Sequence, residues 1–180
     1  MATKKSNYQL PSKVIENSET KEWDLAVREW EIVDCEESEE NNAECVCGKK
    51  HIRYMFTIRN TRNGNTLSPI GSSCIRKFQR SDLSSLVDAY EKLFKLLDEY
   101  SRTGYVPFNS KLFSRKLLLF LFEDGCFKAN EYNHWNPEND YSFLLDRFNA
   151  REPPTTKQKS KISAIMCTAV VPYLKAKLHK

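Results

Sequence analysis

The 30 residues from Cys45 to Cys74 hold three cysteines and a histidine, in the order Cys45-Val46-Cys47-Gly48, His51 and Gly71-Ser72-Ser73-Cys74. Thiolate and imidazole are the donors of four-coordinate structural zinc sites. Cys45 and Cys47 share one tight turn, and Gly48 stands where such a turn needs a residue tolerant of positive φ. Cys74 returns from far along the chain, so a single Zn²⁺ ion closes a long loop. Apparent binding in such sites is worth roughly 10–16 kcal/mol at neutral pH, and much of it becomes folding energy. A small hairpin needs that help, because an isolated one is marginal in water.

The chain has 180 residues, 40% of them apolar, with 10 Phe and 8 Tyr. That is enough for a packed core in one domain or a domain with a small appendage. Its longest apolar run, Leu117 to Phe122, is far short of the roughly 18 residues that read as a membrane span. The start, Met1-Ala2-Thr3-Lys4-Lys5, lacks the apolar stretch of a secretory signal. A cytoplasmic location and metal-bound cysteines, not disulfides, are therefore expected. Cys126 and Cys167 lie among apolar residues and read as small buried hydrophobes.

Periodicity divides the chain. Residues 1–19 are polar and read as an extended or loosely docked arm. Trp23 to Cys35 reads as a strand that changes face near Glu29, and Glu36 to Asn42 as an acidic loop. Ile52 to Ile58 alternates as a strand; Asn60 to Asn65 contains Asn63-Gly64, a strong hairpin signal; Thr66 to Ile70 returns. Pro69 makes that return an edge strand or ends its ladder. Ser81 to Tyr100 is an amphipathic helix carrying Leu83, Leu86, Val87, Tyr90, Leu93, Phe94, Leu97 and Tyr100 on one face. Ser110 to Phe122 reads as a second, more apolar helix, and Asp140 to Asn149 as a short one. Thr155 or Thr156 caps a last helix, which Pro172 kinks or ends. The predicted architecture is α+β: an arm over 1–19, a β-rich zinc module over 20–80 and a helical domain over 81–180 against which it packs.

Charge is segregated along the chain. Residues 16–44 hold 12 Asp and Glu against Lys21 and Arg28, whereas residues 45–80 hold eight Lys and Arg and no acid. Lys49, Lys50, Arg53, Arg59, Arg62, Arg76, Lys77 and Arg80 thus surround the expected zinc site. Arg59 and Arg62 flank the hairpin tip, and Arg53 alternates with Tyr54 and Phe56. Such a cluster can neutralise phosphates, the sequence-independent part of nucleic-acid affinity.

The order knuckle, hairpin, then a cysteine entering a helix is that of a treble-clef zinc finger. Cys45, Cys47, Gly48, His51, Ile52, Tyr54, Asn60, Gly64, Gly71, Ser72, Cys74 and Ile75 also follow the pattern of a family of small phage- and plasmid-encoded proteins. Glu22-Trp23 and Glu29-Trp30 resemble that family too. The resemblance covers about 35 residues closely, from Cys45 to Phe78, and the C-terminal half more weakly. It implies a zinc module and a mobile-element origin in a bacterial host, with no assigned reaction. A typical treble clef opens with Cys-x-x-Cys and takes two ligands from its helix. Here the opening is Cys-x-Cys, and Lys77 stands where the second helix ligand would be. His51 is therefore the expected fourth ligand, with Cys35 the alternative.

Three functions follow as expectations. The favoured one is a non-enzymatic, zinc-stabilised binding protein whose basic module holds nucleic acid. The second is an inhibitor of a host defence protein, with the acidic segment at 36–44 imitating phosphate. The third is a metal-dependent nuclease using His134 with Asn133 and Asn136. No Gly-rich phosphate loop or Ser-His-Asp set accompanies that last group.

Overall fold

A computed structural model describes residues 9–179. It mixes helices with one three-stranded antiparallel sheet in the order β1-β2-β3, and it divides into two compact units, one ending at Tyr90 and the next beginning at Glu91. The division falls ten residues beyond the expected boundary at 80. Helix α4, Ser81–Thr103, gives its first ten residues to the first unit and the remainder to the second.

In the first unit, helix α1 spans Leu10–Glu16 and buries Leu10 and Val14 completely. The expected polar arm is thus a docked helix over these residues; residues 1–8 lie outside those described. Pro11 near the helix start and the i, i+4 pair Leu10 and Val14 are its sequence signals. The expected strand from Trp23 begins instead as a short helix α2, Trp23–Ala26, and a 3₁₀ turn, Val27–Glu29. Trp23, Ala26, Val27 and Trp30 also follow the i, i+3, i+4, i+7 spacing of a helix. Strand β1 is confined to Trp30–Glu37.

Strand β2, Tyr54–Asn60, pairs with β1 from Trp30 opposite Asn60 to Glu37 opposite Tyr54, with a bulge between Ile32 and Asp34. Strand β3, Thr66–Ile70, is an edge strand, so Pro69 is tolerated there. The hairpin joining them closes on Gly64 at φ +76° and on the Asn60 N–H, which donates to the Asn65 carbonyl at 2.8 Å. Trp30, Phe56, Ile58 and Ile70 form the buried face of this sheet.

A buried carboxylate ties these pieces together. Glu29 is only 1% exposed and accepts from the backbone N–H groups of Glu19 and Thr20, both at 2.9 Å, and from Asn60 Nδ2 at 2.7 Å. Beside it, Trp30 Nε1–H donates to Ser18 Oγ at 2.9 Å, and Ser18 donates to the Val14 carbonyl at 2.7 Å. Burial pushes the Glu29 carboxyl up, but the hydrogen bonds from Thr20, Asn60 and Glu19 outweigh it and hold the group down at about 2. The asparagines of the hairpin tip serve the same clasp, since Asn63 and Asn65 both donate their side-chain amides to the Asn17 carbonyl.

In the second unit, helix α5 is Arg115–Glu123, shorter than the expected 110–122. Asn109 Oδ1 accepts from the N–H groups of Lys111 and Leu112 and holds a turn there, and Ser114 caps the helix from Leu117 N–H. Helix α6, Pro137–Asn149, starts three residues earlier than expected, capped by Asn136. Helix α7, Thr156–Ile165, opens with a Thr155/Gln158 capping box. A wide π turn over Met166–Val170 then carries the chain into helix α8, Val171–Lys177. Pro172 thus neither ends nor sharply breaks the helix. Its ring would crowd the carbonyl four residues back, and the widened turn just before it makes room. Leu93, Leu96, Leu118, Leu121, Leu144, Met166, Val170 and Leu174 are fully buried. Cys126 is buried as expected, whereas Cys167 faces outward on the π turn and is exposed.

Two outcomes follow. Leu93→Ala should destabilise the protein by about 2–5 kcal/mol in chemical denaturation, the range for a fully buried leucine. Glu29→Gln should cost about 1.5–3 kcal/mol at neutral pH, because a carboxylate with donors on every side is lost. The folded carboxyl titrates below its ordinary value of 4.5, so its stabilisation is complete above that pH and fades as pH falls towards about 2. Denaturant titrations of both proteins at pH 7 and near pH 2.5 should show the gap between them closing on the acid side.

Candidate metal centre

The centre is built from two short turns. Cys45 to Gly48 forms a knuckle in which Gly48 N–H donates to the Cys45 carbonyl and Cys45 N–H to the Lys49 carbonyl, both at 2.8 Å. Gly48 adopts φ +88°, the conformation its position requires. Val46 N–H donates to the Pro69 carbonyl at 2.9 Å, which fixes the knuckle to the end of β3. Beyond β3, Gly71 leads into helix α3, Ser72–Arg76, which presents Cys74 in its first turn. A side chain at Gly71 would press on Ile52 Cγ2, since even a Cβ there would stand 3.1 Å away. Glycine therefore lets the β3–α3 corner close over the knuckle.

The three sulfurs converge. Cys45 Sγ lies 3.7 Å from Cys74 Sγ, Cys74 Sγ lies 3.3 Å from Cys47 Sγ, and all three fall within 4.8 Å of one another. Each cysteine is at most 3% exposed, and none is in a disulfide. Four thiolates around an ion at metal–sulfur distances of about 2.3 Å would sit roughly 3.8 Å apart along each tetrahedral edge. The observed spacing matches one face of such a tetrahedron, so the trio can hold a metal ion. The cluster also has the electrostatics of a ligand set. The Cys74 thiol beside it, with help from the Gly71 N–H at 3.3 Å, pulls the Cys45 thiol down to about 5 against the opposing effect of burial. The same contact with Cys45 pushes the Cys74 thiol up.

His51 is brought near the knuckle but not into this trio, because its ring nitrogens do not lie within 4.8 Å of all three sulfurs. It is exposed, at φ +60°, with Nδ1 3.3 Å from the Asn41 carbonyl. Cys35 is buried in β1 and also stays outside the trio; its Sγ lies 3.9 Å from the Glu36 carbonyl.

The arginines around the centre are matched by acids, three from the preceding segment and two from the helix that follows. Arg59 pairs with Glu31 directly across the β1–β2 ladder at 2.7 Å, and Arg53 with Glu37 at 2.7 Å. Arg62 reaches buried Glu29 at 3.8 Å, and Arg76 pairs with Asp88 at 2.7 Å. Arg80 pairs with Asp82 and also donates to the carbonyls of Val27 and Trp30. Lys49 and Lys50, on the knuckle itself, are exposed and have no ion pair among the described residues; Lys77 is exposed beside α3. From Met1 to Tyr90 the chain carries 14 Asp and Glu against 13 Lys and Arg, so the basic window belongs to a unit that is close to neutral. Charge read along a linear window missed this because antiparallel pairing lays the acidic segment beside the basic one.

The set expected for a nuclease is otherwise employed. Asn133 is fully buried, donating to Asp140 and to the Lys128 carbonyl, and Asn136 caps α6. His134 is exposed in the loop between them.

No family model, curated protein or solved structure matches this chain. Among the described residues, no helix is long and apolar enough to cross a membrane.

Metal content measured on freshly prepared protein should fall sharply in Cys45→Ser, Cys47→Ser and Cys74→Ser. It should stay unchanged in Cys126→Ser, whose thiol is buried elsewhere and pushed up to about 12 by desolvation.

Proposed function

We propose that the chain is a non-enzymatic binding protein whose first unit is a treble-clef-like module stabilised by one Zn²⁺ ion, and that its partner is a protein. The observation that carries the scaffold reading is the convergence of three buried sulfurs from a knuckle and a helix start. Soft thiolates at tetrahedral spacing select zinc among common cellular ions. Cys45, Cys47 and Cys74 would hold it, and His51, four residues beyond Cys47 on an exposed ring, would complete the set. The ion would supply cross-linking and not reactivity.

Charge supports a protein partner over nucleic acid. A nearly neutral unit with its arginines matched by carboxylates gives little long-range attraction to phosphate. Glu36, Glu39, Glu40 and Glu44 are exposed and have no ion pair among the described residues, so this surface suits a basic groove. The resemblance to phage- and plasmid-encoded proteins makes a host protein with a nucleic-acid groove the class of target. A second reading, direct nucleic-acid binding, draws on Lys49 and Lys50 at the knuckle and on arginine pairs exposed enough to exchange partners at a cost of about 1 kcal/mol or less.

Fluorescence anisotropy against labelled DNA and RNA, single- and double-stranded, and against a labelled Lys/Arg-rich peptide separates the two. The protein reading expects the basic peptide to bind in a salt-sensitive way and to be lost when Glu36, Glu39, Glu40 and Glu44 are reversed to Lys. Binding to oligonucleotides at tens of micromolar protein, within about the usual non-specific range, with loss on Arg59→Glu and Arg62→Glu, would instead establish the nucleic-acid reading.

A further inference from the structure

The second unit carries a feature that its packing does not use. Tyr132 is 82% exposed and Trp135 is 72% exposed, the two most exposed of the large hydrophobic side chains among the described residues. Single exposed apolar residues are ordinary, but a Tyr and a Trp three residues apart on one short loop are the side chains that most often anchor protein interfaces.

The loop beneath them is held rigidly. Asn130 and Asn133 form a reciprocal capping box around the 3₁₀ turn Glu131–Asn133. Asn133 Nδ2 donates to Asp140 Oδ2 and to the Lys128 carbonyl, both at 2.8 Å, Asn139 donates to the Asn133 carbonyl at 2.9 Å, and Trp135 N–H donates to the Asn130 carbonyl at 2.8 Å. Within that frame His134 and Trp135 take φ +55° and +60°, a left-handed conformation unfavourable for side chains of their size. A buried polar network thus holds a strained turn whose visible result is the outward display of two rings.

We propose that the Tyr132–Trp135 loop is a protein-docking epitope, in which both rings enter an apolar pocket rimmed by lysine or arginine on the partner. Charge selects this partner class. Glu131 and Glu138 flank the rings, are exposed, and have no ion pair among the described residues. Of the nearby basic groups, exposed Lys128 stands at the loop's entry, with its carbonyl accepting from Asn133, whereas Arg115, bonded to Asn149, and Arg147, bonded to Gln158, lie at the far end of α6, roughly 20 Å away along its 13 residues. Stacked bases would bring phosphates against the two carboxylates. A basic-rimmed protein pocket would pair with them while burying the rings, at low entropy cost because the hydrogen-bonded loop backbone is already ordered and each ring has only two side-chain torsions. This epitope is independent of the metal centre and of the acidic segment at 36–44.

The test is selection of random dodecapeptides displayed on phage against the full-length protein. Enriched peptides should combine aromatic or aliphatic residues with Lys or Arg. When synthesised, they should lose affinity by about tenfold or more for Trp135→Asn and for Tyr132→Ser, as for truncated interface anchors. Asparagine tolerates the left-handed backbone, so Trp135→Asn should keep the far-UV circular dichroism and Tm of the parent. The proposal fails if no peptide is enriched over bare support or if every enriched peptide binds both variants as well as the parent. It fails equally if a (dT)₁₂ oligonucleotide binds more tightly than any of them through Trp135.

Discussion

The first unit depends on a closure between positions 29 residues apart in sequence. Cys45 and Cys74 approach to 3.7 Å only because the knuckle is hydrogen-bonded to the end of β3 and because Gly71 lets the corner fold over Ile52. Three buried sulfurs so close together are placed to share a cation.

A second clasp, the buried Glu29 carboxylate, works from the other end of the sheet. It gathers the turn after α1, the start of β1 and the Asn60 corner of the hairpin into one hydrogen-bonded group. This changes the meaning of the hairpin's composition. Asn60, Asn63 and Asn65 look like a polar tip free to reach a ligand, yet their amides are committed to Glu29 and to the Asn17 carbonyl. Arg59 of β2 and Arg53 just before that strand are likewise set against carboxylates of β1.

The sequence carried the knuckle, the hairpin, the long helix from Ser81 and the Thr155 cap, because each rests on local chemistry: a glycine at positive φ, an Asn-Gly turn, apolar periodicity, a capping box. It failed where tertiary context decides. Trp23 to Glu29 was ambiguous because its apolar residues fit both a two-sided strand and a helical i, i+3, i+4 pattern, and burial of Ala26 and Val27 selects the helix. Helix α1 was hidden among polar residues because two apolar side chains suffice to dock it. At the candidate site, the three cysteines were legible from spacing, whereas the fourth donor was not, since a ligand four residues along a loop is placed by backbone geometry. Charge pairing was invisible for a different reason: it is set by strand register.

X-ray absorption at the zinc K-edge of freshly purified protein measures the ligand shell directly. The account predicts about three sulfurs near 2.3 Å and one nitrogen or oxygen near 2.0–2.1 Å, with the nitrogen signal altered in His51→Ala. A shell of four sulfurs would move the fourth ligand to Cys35. A shell of nitrogen and oxygen alone, or protein purified without metal, would contradict the central claim.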